Sequence, residues 1–119
     1  ILGNLGEDLA SDFLVKKGYR IVERNFVWQK NEIDIIAEDE KERNIVFVEV
    51  KTRNTDYFIQ PFEAVDFKKQ KAIIKVANAY IRSRNIDLEA RFDVISIVQN
   101  EQGSQTIEHI IGAFEPCLF

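Results

Sequence analysis

The chain has 119 residues, 45% of them hydrophobic and 30% charged, with a formal net charge of −4. That length and balance fit one soluble domain around a single core, the apolar runs are too short to span a bilayer, and with a single cysteine a reducing, cytoplasmic setting is the expectation. Cys117 is the only cysteine, which excludes an intrachain disulfide and a thiolate metal cluster.

Leu5, Leu9, Phe13 and Leu14 recur at helical spacing and predict a first helix over roughly residues 4–17, stopped by Gly18. Residues 19–27 alternate as a strand does, and Asn31 permits a turn into a second strand over 32–37. The acidic stretch 38–44 reads as a solvated hairpin loop before a third strand over 45–52. That third run is apolar on both faces, with Val46, Val48 and Val50 on one and Ile45 and Phe47 on the other, which places it centrally. Pro61 suits the opening of a long second helix with Val65, Ala72, Ile73, Val76, Ala77 and Tyr80 on its apolar face. Strands over 91–98 and 106–111 complete an α-β-β-β-α-β-β order. The expected fold is a single α/β domain over residues 1–119, with a central mixed sheet flanked by helices.

Three charged residues fall where apolar side chains are expected. Asp34 stands between isoleucines in the second strand, and Glu49 and Lys51, two apart in the third, project from one face. Charge in a sheet interior is costly unless it is paired or holds a metal. Carboxylate oxygens are the donors that Mg²⁺ or Mn²⁺ prefers, and a lysine beside them can orient a water or stabilise phosphate charge. An ion pair on an exposed sheet face is the plain alternative for Glu49 and Lys51. Glu7 fits two roles. With Asn4 it matches a capping box, and from the first helix it could also reach the acidic group.

Charge is segregated along the chain. Residues 61–85 carry Lys68, Lys69, Lys71, Lys75, Arg82 and Arg84 against Glu63 and Asp66, so a basic face can exist on an acidic protein. Lys68, Lys71, Lys75 and Arg82 fall within an arc of roughly 60° on a helix turning ~100° per residue. They form either a solvated face or a phosphate-tracking stripe that Arg53 and Lys51 extend. Asp93 is expected to pair with a local base, and Asp66 to complement the second helix's dipole. His109 is expected at the surface or satisfied in the core, and Trp28 and Phe26 in core packing or as a loop anchor rather than stacked on bases. No Gly-rich phosphate loop and no His or Cys cluster for zinc is present.

Asp34 followed by Glu49-x-Lys51 resembles the signature of the PD-(D/E)xK nuclease superfamily, and the element order resembles its restriction-endonuclease-like core. More closely, the chain resembles the UPF0102 (YraN-like) family of small bacterial proteins. The stretches that carry the likeness are Gly6-Glu7, Gly18-Tyr19, Arg24-Asn25, Glu32-Ile33-Asp34-Ile35-Ile36-Ala37, Phe47-Val48-Glu49-Val50-Lys51-Thr52-Arg53, and Ala64-Val65-Asp66 with Lys69. Asn31 departs from the family's usual glycine, a position where asparagine also tolerates a left-handed turn. The resemblance implies a Mg²⁺- or Mn²⁺-dependent nuclease acting on DNA, branched or single-stranded. Asp34, Glu49, Lys51 and Glu7 would be catalytic, with Asp34, Glu49, the Val50 carbonyl and Glu7 as metal ligands. It also implies a nucleic-acid partner and, by analogy with junction-cleaving relatives, a homodimer. The alternatives are a non-catalytic nucleic-acid-binding module that retains the fold, and a protein-interaction domain.

Overall fold

The computed structural model describes the backbone of residues 2–53 and 65–115, with side chains from residue 5 onward. Its elements run α1 (Leu2–Lys16), β1 (Arg20–Trp28), β2 (Asn31–Asp39), β3 (Asn44–Arg53), α2 (Phe67–Ser83), β4 (Glu89–Gln99) and β5 (Gln105–Phe114). The five strands form one sheet in the order β1-β2-β3-β4-β5, so β3 is central as its two apolar faces require. All neighbours are antiparallel except β3 and β4, the pair joined across α2. This is the expected mixed α/β sheet flanked by two helices.

The helices cover opposite faces. Ala10 and Leu14 of α1 pack with Ile35, Ala37, Val46, Val48, Ile95 and Ile97. Ile73, Val76, Ala77 and Tyr80 of α2 pack with Ile33, Ile36, Ile45, Phe47, Phe92 and Val94. Phe26 and Trp28 of β1 are partly buried against this second core, as expected of packing aromatics.

Local chemistry sets the ends of the elements. Helix α1 stops at Gly18, whose φ of +97° suits glycine. The paired bonds from Gly18 N–H to the Val15 carbonyl and from Tyr19 N–H to the Leu14 carbonyl, both 3.0 Å, form a Schellman motif. The start of α1 corrects the capping-box reading: Asn4 lies inside the helix, so it is not the N-cap. Helix α2 begins at Phe67, where the Asp66 side chain caps it by accepting from Lys69 N–H at 2.8 Å. Asp66 is therefore the cap and not merely a dipole partner, while Pro61 lies outside the described residues. The β1–β2 turn is also corrected. Gln29 and Lys30, with φ of +49° and +71°, supply the left-handed pair of a two-residue hairpin, and Asn31 already belongs to β2. The third strand starts one residue earlier than expected, and the 38–44 loop shrinks because Glu38 and Asp39 extend β2.

Gly6 lets α1 lie close to β3. A Cβ at Gly6 would meet Thr52 Oγ1 at 2.5 Å, with its next neighbours at 3.8 Å or more. Gly6→Ala is therefore expected to destabilise the protein by about 1 kcal/mol through overpacking. In a Thr52→Ala background the clash is gone and the same change is neutral or stabilising by up to about 1 kcal/mol, through helix propensity. Urea unfolding of the two singles and the double checks this; equal effects in both backgrounds would refute the close approach.

Candidate functional site

The sheet forks beside its centre. The β2–β3 ladder ends at Ile35↔Val48, yet β1–β2 pairing continues to Trp28↔Asn31 and β3–β4 pairing to Arg53↔Val98. Residues 31–34 of β2 and 49–53 of β3 therefore border a gap. Strand side chains two apart normally share a face, but Ile33 packs in the α2-side core and Ile35 in the α1-side core. The strand turns over at Asp34. Opposite Asp34, between the Arg24↔Ile35 and Phe26↔Ile33 pairs, sits Asn25 with φ +54°.

Asp34 fills the gap with its side chain. Its Oδ2 accepts the Val50 N–H at 2.8 Å, so a carboxylate replaces the strand carbonyl that the ladder no longer supplies. Within a strand a residue's N–H and C=O face the same neighbour, so the Val50 carbonyl opens towards this gap too. Glu49 is buried, 7% exposed, on the α2 side. One of its oxygens lies 3.5 Å from Lys51 Nζ and 3.9 Å from Lys69 Nζ.

On the other side of Asp34 stands a second group of carboxylates. One oxygen each from Glu7, Glu32 and Asp34 lies within 4.8 Å of the others. Glu7 arrives from α1, accepts from Asn25 Nδ2 at 2.8 Å and has the Arg24 guanidinium at 3.7 Å. Its partners thus lie on β1 and not at the helix start. Burial pushes the Asp34 carboxyl up to about 7, helped by the Glu49 carboxylate and then Glu7, while the Val50 N–H pulls the other way.

The structure brings four of the expected residues, Glu7, Asp34, Glu49 and Lys51, around one fork, with Val50 in its wall. Glu32 and Lys69 were not singled out as site residues from the sequence. Glu32 shares a strand face with Asp34 by simple alternation, a signal that was available. Lys69 reaches Glu49 only because α2 crosses the sheet. Arg53 ends β3 on the same open stretch and is partly buried. Lys68, Lys71, Lys75 and Arg82 are exposed on the outer side of α2, opposite its buried stripe. Lys71 Nζ lies 4.8 Å from the Phe67 ring centre.

A second polar group lies near the start of the parallel pair, away from the fork. Asp93 is 1% exposed. It accepts from Arg91 Nε at 3.0 Å, a second Arg91 nitrogen at 2.9 Å and Gly112 N–H at 3.0 Å, and lies 2.7 Å from His109 Nε2. Arg91 also donates to Asp39 at 2.9 Å, Asn44 at 3.2 Å and the Tyr19 hydroxyl at 2.6 Å, so all five of its N–H groups are used. Lys17 Nζ lies 2.8 Å from His109 Nδ1. An ammonium only donates, so Nδ1 accepts and Nε2–H faces Asp93. Against the cost of burial, hydrogen bonds from His109 and Arg91 hold the Asp93 carboxyl below the usual carboxylate range. An open cleft of about 690 Å³ borders this group, lined in part by Lys17, Tyr19, Asp39 and Arg91. The partly buried Arg91 at its wall has no donor left for a ligand. Asp93 and His109 are satisfied core residues, in line with the sequence reading.

What the fold and site define is an α/β protein with a carboxylate–lysine group set in a forked mixed sheet. Comparison with known proteins gives its family. The family described as "Uncharacterised protein family UPF0102" matches residues 6–97. The chain is 44% identical to a UPF0102 protein of Parabacteroides distasonis, over 98% of this chain and 94% of the relative. It is 47% identical to one of Flavobacterium psychrophilum, over 95% and 92%. With one of Caldanaerobacter subterraneus subsp. tengcongensis the identity is 45%, over 95% and 93%. The chain belongs to the UPF0102 family. Among the described residues no helix is long and apolar enough to cross a membrane.

The Asp34 shift has a sign that can be checked. In chelator-treated protein the folded state holds a proton that the unfolded chain releases near pH ~4. Stability is therefore expected to fall as pH rises from there to about 7, the folded value, and then to level off. Asp34→Asn should remove that fall and be more stable than the parent at pH 8. Urea midpoints at pH 5 and pH 8 test it; an unchanged slope in the variant would assign the proton elsewhere.

Proposed function

We propose that the fork is the active site of a metal-dependent nuclease that hydrolyses phosphodiester bonds of DNA, branched or single-stranded. The observation that carries this reading is the convergence of Asp34, Glu49 and Lys51 with Glu7 where β2 leaves β3. The likeness of Asp34…Glu49-x-Lys51 to the PD-(D/E)xK nuclease signature supports it. So does position: in open α/β sheets, ligand sites favour the carboxyl ends of parallel strands, and Glu49 and Lys51 lie in that half of β3.

The donor set suits a hard divalent cation. Every candidate ligand is an oxygen, and the upward push on Asp34 comes first from burial and then from the Glu49 and Glu7 carboxylates beside it, both of which a cation would relieve. Asp34, Glu49 and the Val50 carbonyl would hold Mg²⁺ or Mn²⁺, with Glu7 and Glu32 on the α1 side. Such a cation supplies charge neutralisation at the phosphate and acidifies water. Lys51, restrained by Glu49, is placed to stabilise phosphate charge or orient the attacking water. Lys69, with 44% of its side chain exposed, brings a second positive charge to the same carboxylate and is free to turn towards a substrate phosphate. Arg53 and the α2 stripe of Lys68, Lys71, Lys75 and Arg82 would follow the nucleic-acid backbone.

Calorimetric titration with Mn²⁺ is expected to give binding that Asp34→Ala and Glu49→Ala each abolish, with circular dichroism unchanged. Lys51→Ala is expected to keep metal binding and lower cleavage of branched or single-stranded DNA by at least about 10²-fold. Equal Mn²⁺ binding in parent and alanine variants would remove these residues as ligands. Metal and DNA binding without cleavage would point to the non-catalytic module.

The stripe has a separate test. Changing Lys68, Lys71 and Lys75 together to glutamate should weaken DNA binding. It should also flatten the salt dependence by about one unit of log–log slope for each phosphate that the variant no longer neutralises. Unaltered binding and slope, read by fluorescence anisotropy at several salt concentrations, would place the DNA-binding surface elsewhere.

A further inference from the structure

We infer that Asn25 is a positioning residue for the cation site, holding Glu7 in register with Asp34 and Glu32; this rests on the reading of the fork as a cation site. Two independent features meet at Asn25. Its backbone is left-handed, φ +54°, directly across from Asp34 where β2 turns over. A non-glycine residue accepts that conformation only at a cost, least for asparagine and aspartate. An asparagine in such a position often turns its amide onto neighbouring backbone. Here the amide instead crosses to α1, donating from Nδ2 to Glu7 Oε1 at 2.8 Å, a partner 18 residues away.

The bond fixes an otherwise long, flexible side chain. Glu7 enters from a helix, has three side-chain torsions and would sample several rotamers. A carboxylate has about four acceptor positions, so one bond to Asn25 leaves the rest for a cation. Arg24 is less suited to hold Glu7, because it lies 3.7 Å away and its guanidinium is committed to Asp8 at 2.7 Å. A neutral amide also orients a ligand without competing with a cation for its charge, which Arg24 at closer range would do.

Partners that orient metal ligands typically change affinity by about 10–100-fold when removed. Asn25→Gly is the informative variant, because glycine accepts φ +54° while removing the side chain that carries the amide. The experiment is Mn²⁺ calorimetry on four proteins: parent, Asn25→Gly, Glu7→Ala and the double variant, each checked by thermal unfolding. The expected result is about 10–100-fold weaker binding for Asn25→Gly in the parent background and less than a twofold change in the Glu7→Ala background. Unchanged affinity in Asn25→Gly, with binding still abolished by Asp34→Ala, would overturn the role of Asn25 and leave the cation site standing. An equal loss in both backgrounds would also overturn it, because the effect would come from a loosened fold and not through Glu7. Absence of Mn²⁺ binding in the parent at millimolar metal would overturn the cation site and this role together.

Discussion

The hydrogen bond from the Val50 N–H to Asp34 is the contact on which the site depends. A central strand cannot shed a neighbour freely, because each buried backbone group left without a partner costs about 1–3 kcal/mol. Asp34 offers a side-chain oxygen where the ladder ends, so β2 can diverge while β3 keeps its pairing to β4 through Arg53↔Val98. The same substitution puts a carboxylate into a half-buried gap beside Glu49. The fork and its charge are therefore one feature. A neutral acceptor at Asp34 could also take the Val50 N–H, but it would not gather an anionic group around the gap.

The two ends of the sheet treat buried charge in opposite ways. Around Asp93 every acceptor and donor is matched, Arg91 spends all five N–H groups, and the carboxyl is held below its ordinary range. That network ties Tyr19, β2, β3, β4 and β5 together around one guanidinium, and a partly buried cation so fully bonded strongly resists rearrangement. At the fork burial, with the Glu49 and Glu7 carboxylates nearby, pushes Asp34 up to about 7. Unfavourable charge of this kind is commonly kept at functional sites and offset by stability elsewhere. Here the closed end anchors the strands and the open end holds that charge.

Much of this was legible in the chain. The two apolar faces of residues 45–50 placed β3 at the centre, and the alternation of strand faces put Glu49 and Lys51 together. Charge inside apolar strands marked Asp34. What was hidden falls into two kinds. Gln29, Lys30 and Asn25 adopt left-handed backbones, but glutamine and lysine carry little of the turn signal that Asn-Gly would, and an asparagine inside an alternating strand reads as an ordinary surface position. The bonds of Asn25 to Glu7, Arg91 to Asp39 and His109 to Asp93 join residues 16 to 52 positions apart, which periodicity within one element does not reveal. The capping box failed for a local reason. The helix extends past Asn4 to Leu2, so a motif sufficient to start a helix was overridden by its continuation.

Helix α1 connects the two ends. Near its N-terminus Gly6 allows close approach to Thr52, and Glu7 follows into the fork. At its C-terminus the Schellman turn delivers Lys17 to His109 and Tyr19 to Arg91. Glu7 and Lys17 are ten residues apart, about 15 Å at 1.5 Å per residue, so a helix fixed at its far end locates Glu7 along the sheet with little freedom. Ala10 and Leu14, both fully buried between these points, prevent the helix from rolling. Position along the sheet is thus set by the closed network, and depth by Gly6. The remaining freedom is the rotamer of the Glu7 side chain, and the amide of Asn25 is the contact that restricts it.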